Sequence, residues 1–160
     1  MDNRYQRLLV AAIVLSGAAA GLAKPALAQT FTQFPIPTAN SSPYGITKGP
    51  DGNLWFTECV FVDSACSVSK IGRITPAGVL TEFPIPTANG NPYGITAGPD
   101  GALWFTEHDG NKIGRIPTTA TIANPQITEY QLPTTGCPIS ITAGPDGNLW
   151  FTEESGDKAV

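Results

Sequence analysis

The alternation of apolar and polar positions along the chain is strand-like, and it repeats. The run Gly49-Pro50-Asp51-Gly52-Asn53-Leu54-Trp55-Phe56-Thr57-Glu58 returns as Gly98 to Glu107 and again as Gly144 to Glu153, at spacings of 49 and 46 residues. Its flanks repeat too. Ser42-Pro43-Tyr44-Gly45-Ile46-Thr47 matches Asn91-Pro92-Tyr93-Gly94-Ile95-Thr96, and Cys137-Pro138-Ile139-Ser140-Ile141-Thr142 is a degenerate third copy. In each unit Tyr-Gly-Ile-Thr predicts a short inner strand, and Pro-Asp-Gly a tight turn. Leu-Trp-Phe-Thr, apolar on both faces, predicts a sandwiched second strand. Lys-Ile-Gly-Arg-Ile predicts the third, and Thr-Glu-Phe-Pro-Ile-Pro the fourth, whose prolines fit only an edge. No helical periodicity follows residue 28.

Four short strands in a period of roughly 40–50 residues is the pattern of a β-propeller blade. The expected fold is therefore all-β, a propeller of four-stranded antiparallel blades present as an incomplete arc of about two and a half blades. The expected units are an outer strand at 31–37, blades at 43–87 and 92–134, and an incomplete blade at 138–160. Two departures from the regular unit are expected to be loops: seven extra residues between Cys59 and about Ser69, and the longer connection Pro117 to Gln126. A closed ring takes at least about four blades, so further blades or self-association are needed to cover the exposed ends.

The first 28 residues change the compartment. Arg4 and Arg7 precede the apolar run Leu8 to Leu22, and Ala26-Leu27-Ala28 has the form of a cleavage site. Residues 1–28 are expected to be a signal peptide and 29–160 the partial propeller, secreted or periplasmic, with no membrane partner after cleavage. An uncleaved anchor is the alternative, disfavoured because the apolar run is short of the ~20 residues a span needs. The whole chain has 9 Lys+Arg against 13 Asp+Glu, a net charge of −4. Removing three cations and one anion with the leader leaves 6 against 12, a net of −6. Such an acidic surface excludes nucleic acid as a partner. In an oxidising compartment Cys59 and Cys66, seven apart, are candidates for a local disulfide, the alternative being two unpaired thiols; Cys137 is left over.

The succession Pro-Tyr-Gly-Ile-Thr, Gly-Pro-Asp-Gly-Asn-Leu-Trp-Phe-Thr-Glu, Lys-Ile-Gly-Arg-Ile-Thr and Thr-Glu-Phe-Pro-Ile-Pro-Thr resembles the blade repeat of the virginiamycin B lyase (streptogramin B lyase) family. The resemblance runs over essentially all of 31–155. It implies a C–O lyase that linearises a small cyclic depsipeptide by β-elimination at one end of the propeller channel. That chemistry requires a general base for the proton α to a carbonyl and a divalent metal, Mg2+ in the complete family enzyme, for the developing enolate. The resemblance puts the base, a His, in the slot of the repeat's Tyr. It puts one metal-binding Glu two residues earlier and another fourteen residues later.

In this chain the His slot holds Tyr44, Tyr93 and Ile139, and the earlier acidic slot holds Ser42, Asn91 and Cys137. The later slot holds Glu58, Glu107 and Glu153. No catalytic residue and no metal ligand carries over, no cofactor is expected for this chain, and the fragment is expected to be inactive. A Glu in every copy reads as a feature of the blade. The resemblance marks Tyr44 as a substrate contact, with Tyr93 its counterpart in the next blade. His108, in the Glu-His-Asp-Gly-Asn turn, reads as a solvated turn residue, and Asp51, Asp100 and Asp146 as turn formers. Two function classes follow: the front of a streptogramin-lyase-like propeller, or a non-catalytic exported propeller binding a peptide, glycan or protein.

Overall fold

A computed structural model describes residues 9–14 and 30–154. The expected cleavage motif Ala26-Leu27-Ala28, much of the expected leader, and the last residues of the third unit lie outside them. β1 (Leu9–Val14) and β2 (Thr30–Pro35) form an antiparallel pair, with Val14 opposite Thr30 and Leu9 opposite Pro35. The outer strand expected at 31–37 therefore ends at Pro35 and has a partner from within the expected leader.

Two four-stranded sheets follow. The first is β3 (Ser41–Lys48), β4 (Leu54–Val62), β5 (Ala65–Ile74) and β6 (Leu80–Pro84), paired in chain order. The second repeats that order with β7 (Pro92–Ala97), β8 (Ala102–Glu107), β9 (Lys112–Pro117) and β10 (Thr128–Gln131). A third, two-stranded sheet holds β11 (Pro138–Ala143) and β12 (Leu149–Glu153). All pairings are antiparallel, and no described residue is helical. These are two propeller blades and half of a third. Among the described residues no helix is long and apolar enough to cross a membrane.

The loop expected from Cys59 to Ser69 is instead ladder. β4 and β5 run on past the length of their counterparts and close in a two-residue turn at Asp63 and Ser64, with φ of 50° and 68°. Positive φ at both central residues is the turn that matches strand twist, so the inserted residues lengthen a hairpin. Cys59 and Cys66 are joined across it, their Cα atoms 5.8 Å apart.

One residue type stitches blade to blade. The Gly45 N–H donates to Thr57 Oγ1 at 2.9 Å, and that hydroxyl donates to the Tyr93 carbonyl at 2.7 Å. Gly94, Thr106 and the Ile139 carbonyl repeat the relay at 2.9 and 2.7 Å. The inner strands meet so closely that a Cβ on Gly94 would stand 2.7 Å from the Ile139 carbonyl oxygen. Thr57 and Thr106 are fully buried, and the relay satisfies backbone groups that no ladder reaches.

The core fills the space between the first two blades: Trp55, Ile71, Phe83 and Ile85 of one against Ile95, Leu103, Phe105 and Ile116 of the other. Each Trp indole is aimed by the turn before it. Nε1 of Trp55, Trp104 and Trp150 donates to Asp51, Asp100 and Asp146 at 3.0, 2.9 and 3.2 Å. The aspartates thus do more than shape the turn: against the opposing pull of burial, bonds from Trp55 and Asn53 hold the Asp51 carboxyl below the usual range and bonds from Trp104 and Arg115 hold that of Asp100, while at exposed Asp146 bonds from Asn148 and then Trp150 do the same.

Candidate functional site

Each inner strand is irregular at the same place. Its pairing shifts between Pro43 and Ile46, between Pro92 and Ile95, and between Pro138 and Ile141. Two residues are set against one there, a bulge that re-aims a side chain. The residues re-aimed are Tyr44, Tyr93 and Ile139, the three occupants of the slot singled out in the sequence. Sequence periodicity shows the slot but not the bulge.

The bulges bring Tyr44 and Tyr93 together. Their rings stack at 4.7 Å with 29° between planes, and Tyr44 is 44% exposed. Burial, then the neighbouring Tyr93, raise the Tyr44 phenol above its ordinary 10. The row extends in both directions. Phe61, on the lengthened hairpin, meets Tyr44 edge-on at 6.4 Å, and the His108 ring lies 5.1 Å from Tyr93. The Cys59–Cys66 bridge lies beside Phe61, whose Cα partner is Cys66. Four rings from two blades therefore line one end of the inner strands.

His108 is not the solvated turn residue its local sequence suggests. Its Nδ1 lies 2.5 Å from Asp109 Oδ1 and its Nε2 2.7 Å from Glu154 Oε2, and its side chain is 18% exposed. Burial opposes the charge, but the two carboxylates outweigh it and His108 titrates above 6.5. The bond to Glu154, 46 residues away, ties the second blade to the third. No local signal could have disclosed a partner at that separation.

The recurrent glutamates lie inside their own blades. Glu58 and Glu107 are fully buried, and Glu153 nearly so. The Ser41 hydroxyl donates to Glu58 Oε2, whereas Gly90 stands in the equivalent place over Glu107 and leaves both its oxygens without a hydrogen bond. In each of the two complete blades the buried glutamate shares one nearby lysine with a second carboxylate. Lys70 pairs with Glu82 at 3.5 Å, and Lys112 with Glu129 at 2.8 Å. With the lysine engaged, burial pushes Glu58 up to about 7 and Glu107 up to about 8, aided by the charges of Glu82 and Glu129. These side chains do not converge. Among the described residues no group of three or more His, Cys, Asp or Glu is placed to hold a metal ion. Cys137, at φ 52°, carries a free, half-buried thiol.

Comparison with known proteins agrees with this architecture. The model of the virginiamycin B lyase family matches residues 61–160. The chain is similar to a streptogramin B lyase structure at 41% identity and a TM-score of 0.68, over 82% of this chain and 40% of that one. It is similar to a catalytically inactive virginiamycin B lyase from Staphylococcus aureus with quinupristin at 36% identity and a TM-score of 0.54, over 82% of this chain and 55% of that one. A putative gluconolactonase, 17% identical with a TM-score of 0.62 over 83% of this chain and 49% of that one, shares the fold. The chain thus spans about half the length of the solved relatives, or less. With its repeat, blades and matches in accord, the chain belongs to the virginiamycin B lyase family.

Proposed function

We propose that these blades are the ligand-holding front of an exported, virginiamycin B lyase-like propeller. In its complete form that propeller linearises streptogramin B depsipeptides by metal-assisted β-elimination. The observation that carries the reading is the exposed stack of Tyr44 on Tyr93 at one end of the inner strands. Stacked rings offer a flat apolar platform with a polar hydroxyl edge, suited to a small cyclic peptide. Among the described residues no base of the required kind stands free at that platform. Tyr44 titrates above 10, and His108 is held by two carboxylates. It therefore binds without eliminating. Magnesium belongs to the complete propeller, on residues that these blades do not supply.

A second reading, a non-catalytic exported propeller that binds a peptide, glycan or protein, is favoured by the Cys59–Cys66 disulfide. Such a bond persists in an oxidising compartment. Calorimetric titration of quinupristin into the chain and into Tyr44→Ala separates the two. The proposal expects the wild type to bind and the variant to bind at least about fivefold more weakly, as loss of a stacking ring worth roughly 1 kcal/mol or more implies. Absence of binding to the wild type removes the lyase-like reading and leaves the second.

A further inference from the structure

The lengthened hairpin of the first blade has no counterpart in the second. β4 runs on from Glu58 to Val62, whereas β8 ends at the equivalent Glu107. The added length carries Phe61, a half-buried ring in edge contact with Tyr44 at 6.4 Å and 66° between planes. Tyr44 in turn stacks on Tyr93. Two rings at a steep angle make a corner. A flat ring laid on one of them meets the other edge-on, and these are the two arrangements that aromatic pairs prefer.

Three features fix Phe61 in that place. The pairing of β4 with β5 shifts between Val60 and Phe61, whose partners are Val68 and Cys66, so Ser67 is left unpaired in a bulge that re-aims its neighbours. The Cys59–Cys66 bridge crosses the ladder diagonally over that bulge, because Cys59 stands opposite Ser69 and Cys66 opposite Phe61. Both half-cystines are buried. The Ser69 hydroxyl then ties the hairpin to the next blade. It lies 3.4 Å from Cys66 Sγ, donates to the Ala88 carbonyl at 2.7 Å and accepts the Asn91 N–H at 3.2 Å. Asn91 leads directly into β7, the strand that carries Tyr93.

A ring placed only to close a core is covered on all sides, yet Phe61 stays half-buried and Tyr44 is 44% exposed. The two ends of the row also differ in chemistry. At the far end His108 meets Tyr93 and is held by Asp109 and Glu154, whereas the Phe61 end is apolar. We propose that Phe61 is a specificity-determining residue: with Tyr44 it forms a subsite for an aromatic ring of the ligand, and the Cys59–Cys66 bridge is the device that positions it. The inference rests on the ligand-holding reading of the Tyr44–Tyr93 stack and adds the class of group that the stack receives.

The test is saturation-transfer NMR of the full chain with three probes: quinupristin, N-acetylphenylalanine amide and N-acetylcyclohexylalanine amide, the last apolar but without a π face. The wild type is expected to bind the phenyl amide about twofold or more tighter than the cyclohexyl amide, as an aromatic pair implies beyond its area. Phe61→Leu keeps an apolar side chain at a half-buried position and is expected to lose that preference. The double variant Cys59→Ala, Cys66→Ala, checked for folding by its thermal transition, is expected to reduce it. An unchanged preference in Phe61→Leu, or no binding of the phenyl amide to the wild type, overturns the subsite even where quinupristin binds. An unchanged preference in the double variant overturns the positioning role of the bridge. If the phenyl amide binds with the expected preference and quinupristin does not bind, the subsite stands and the lyase-like reading falls.

Discussion

Trp55→Ala is expected to destabilise the chain by about 3–5 kcal/mol, the cost of emptying a large buried aromatic site. Trp55 is fully buried, stacks on Phe83 at 5.6 Å, is covered by the Arg73 guanidinium, and donates its indole N–H to Asp51 at 3.0 Å. Truncation opens a cavity between the first two blades and strands Asp51 and Arg73 without the ring they contact. Against a typical domain stability of about 5–15 kcal/mol, that loss removes a large fraction of the whole. Trp150→Ala removes the same side chain from the same place in the repeat. There the ring is 45% exposed, so an effect below about 1–2 kcal/mol is expected. Urea unfolding of the two variants side by side checks the contrast. Equal losses would mean that the third blade is covered as fully as the first.

The second large effect is electrostatic. Glu107 is raised from the ordinary 4.5 to about 8 by burial and by the charge of Glu129, with Lys112 opposing. The folded chain therefore holds a proton there that the unfolded chain has released. Between pH 4.5 and about 8 the folded state binds more protons, so stability falls as pH rises, by about 1.4 kcal/mol per pH unit while the difference is complete. Summed over that window, Glu107 contributes a loss of roughly 3–5 kcal/mol. Glu58, raised to about 7, adds a smaller loss of the same sign that ends sooner. Glu107→Gln keeps the shape and removes the ionisation. Its stability advantage over the wild type is expected to be small at pH 5 and to grow steadily to pH 8.5. Urea midpoints at the two pH values measure this, and a constant difference would show that Glu107 is ionised throughout.

The repeat made the blades legible because the signals that matter are local. Pro-Asp-Gly sets a turn, Leu-Trp-Phe-Thr is apolar on both faces, and the prolines of the fourth strand confine it to an edge. What sequence reading missed depends on contacts across long separations. The lengthened hairpin looked like a loop because Asp63 and Ser64 are unusual occupants of two left-handed turn positions. The threonine relay joins residues 36 and 33 apart in different blades, so a buried Thr reads as one more strand residue.

The candidate site was partly legible. Tyr44 and Tyr93 stood out as the repeat's slot, but their stacking depends on two bulges and on how closely the inner strands approach at Gly45 and Gly94. Phe61 and His108 joined the row without a motif of their own. Phe61 is placed by the length of a hairpin, and His108 by a carboxylate of the next blade. The glutamates carried the opposite lesson. Their recurrence suggested a blade feature, and their burial in separate sheets gives that suggestion its physical content.

On the proposed function, these blades hold a ligand and do not supply the chemistry that opens it. Chromatographic assay of quinupristin incubated with the full chain and excess Mg2+ tests it most directly, run beside the binding titration on the same preparation. Saturable binding and no linear product above the enzyme-free control are expected. A linear product that grows with the concentration of this chain would contradict it.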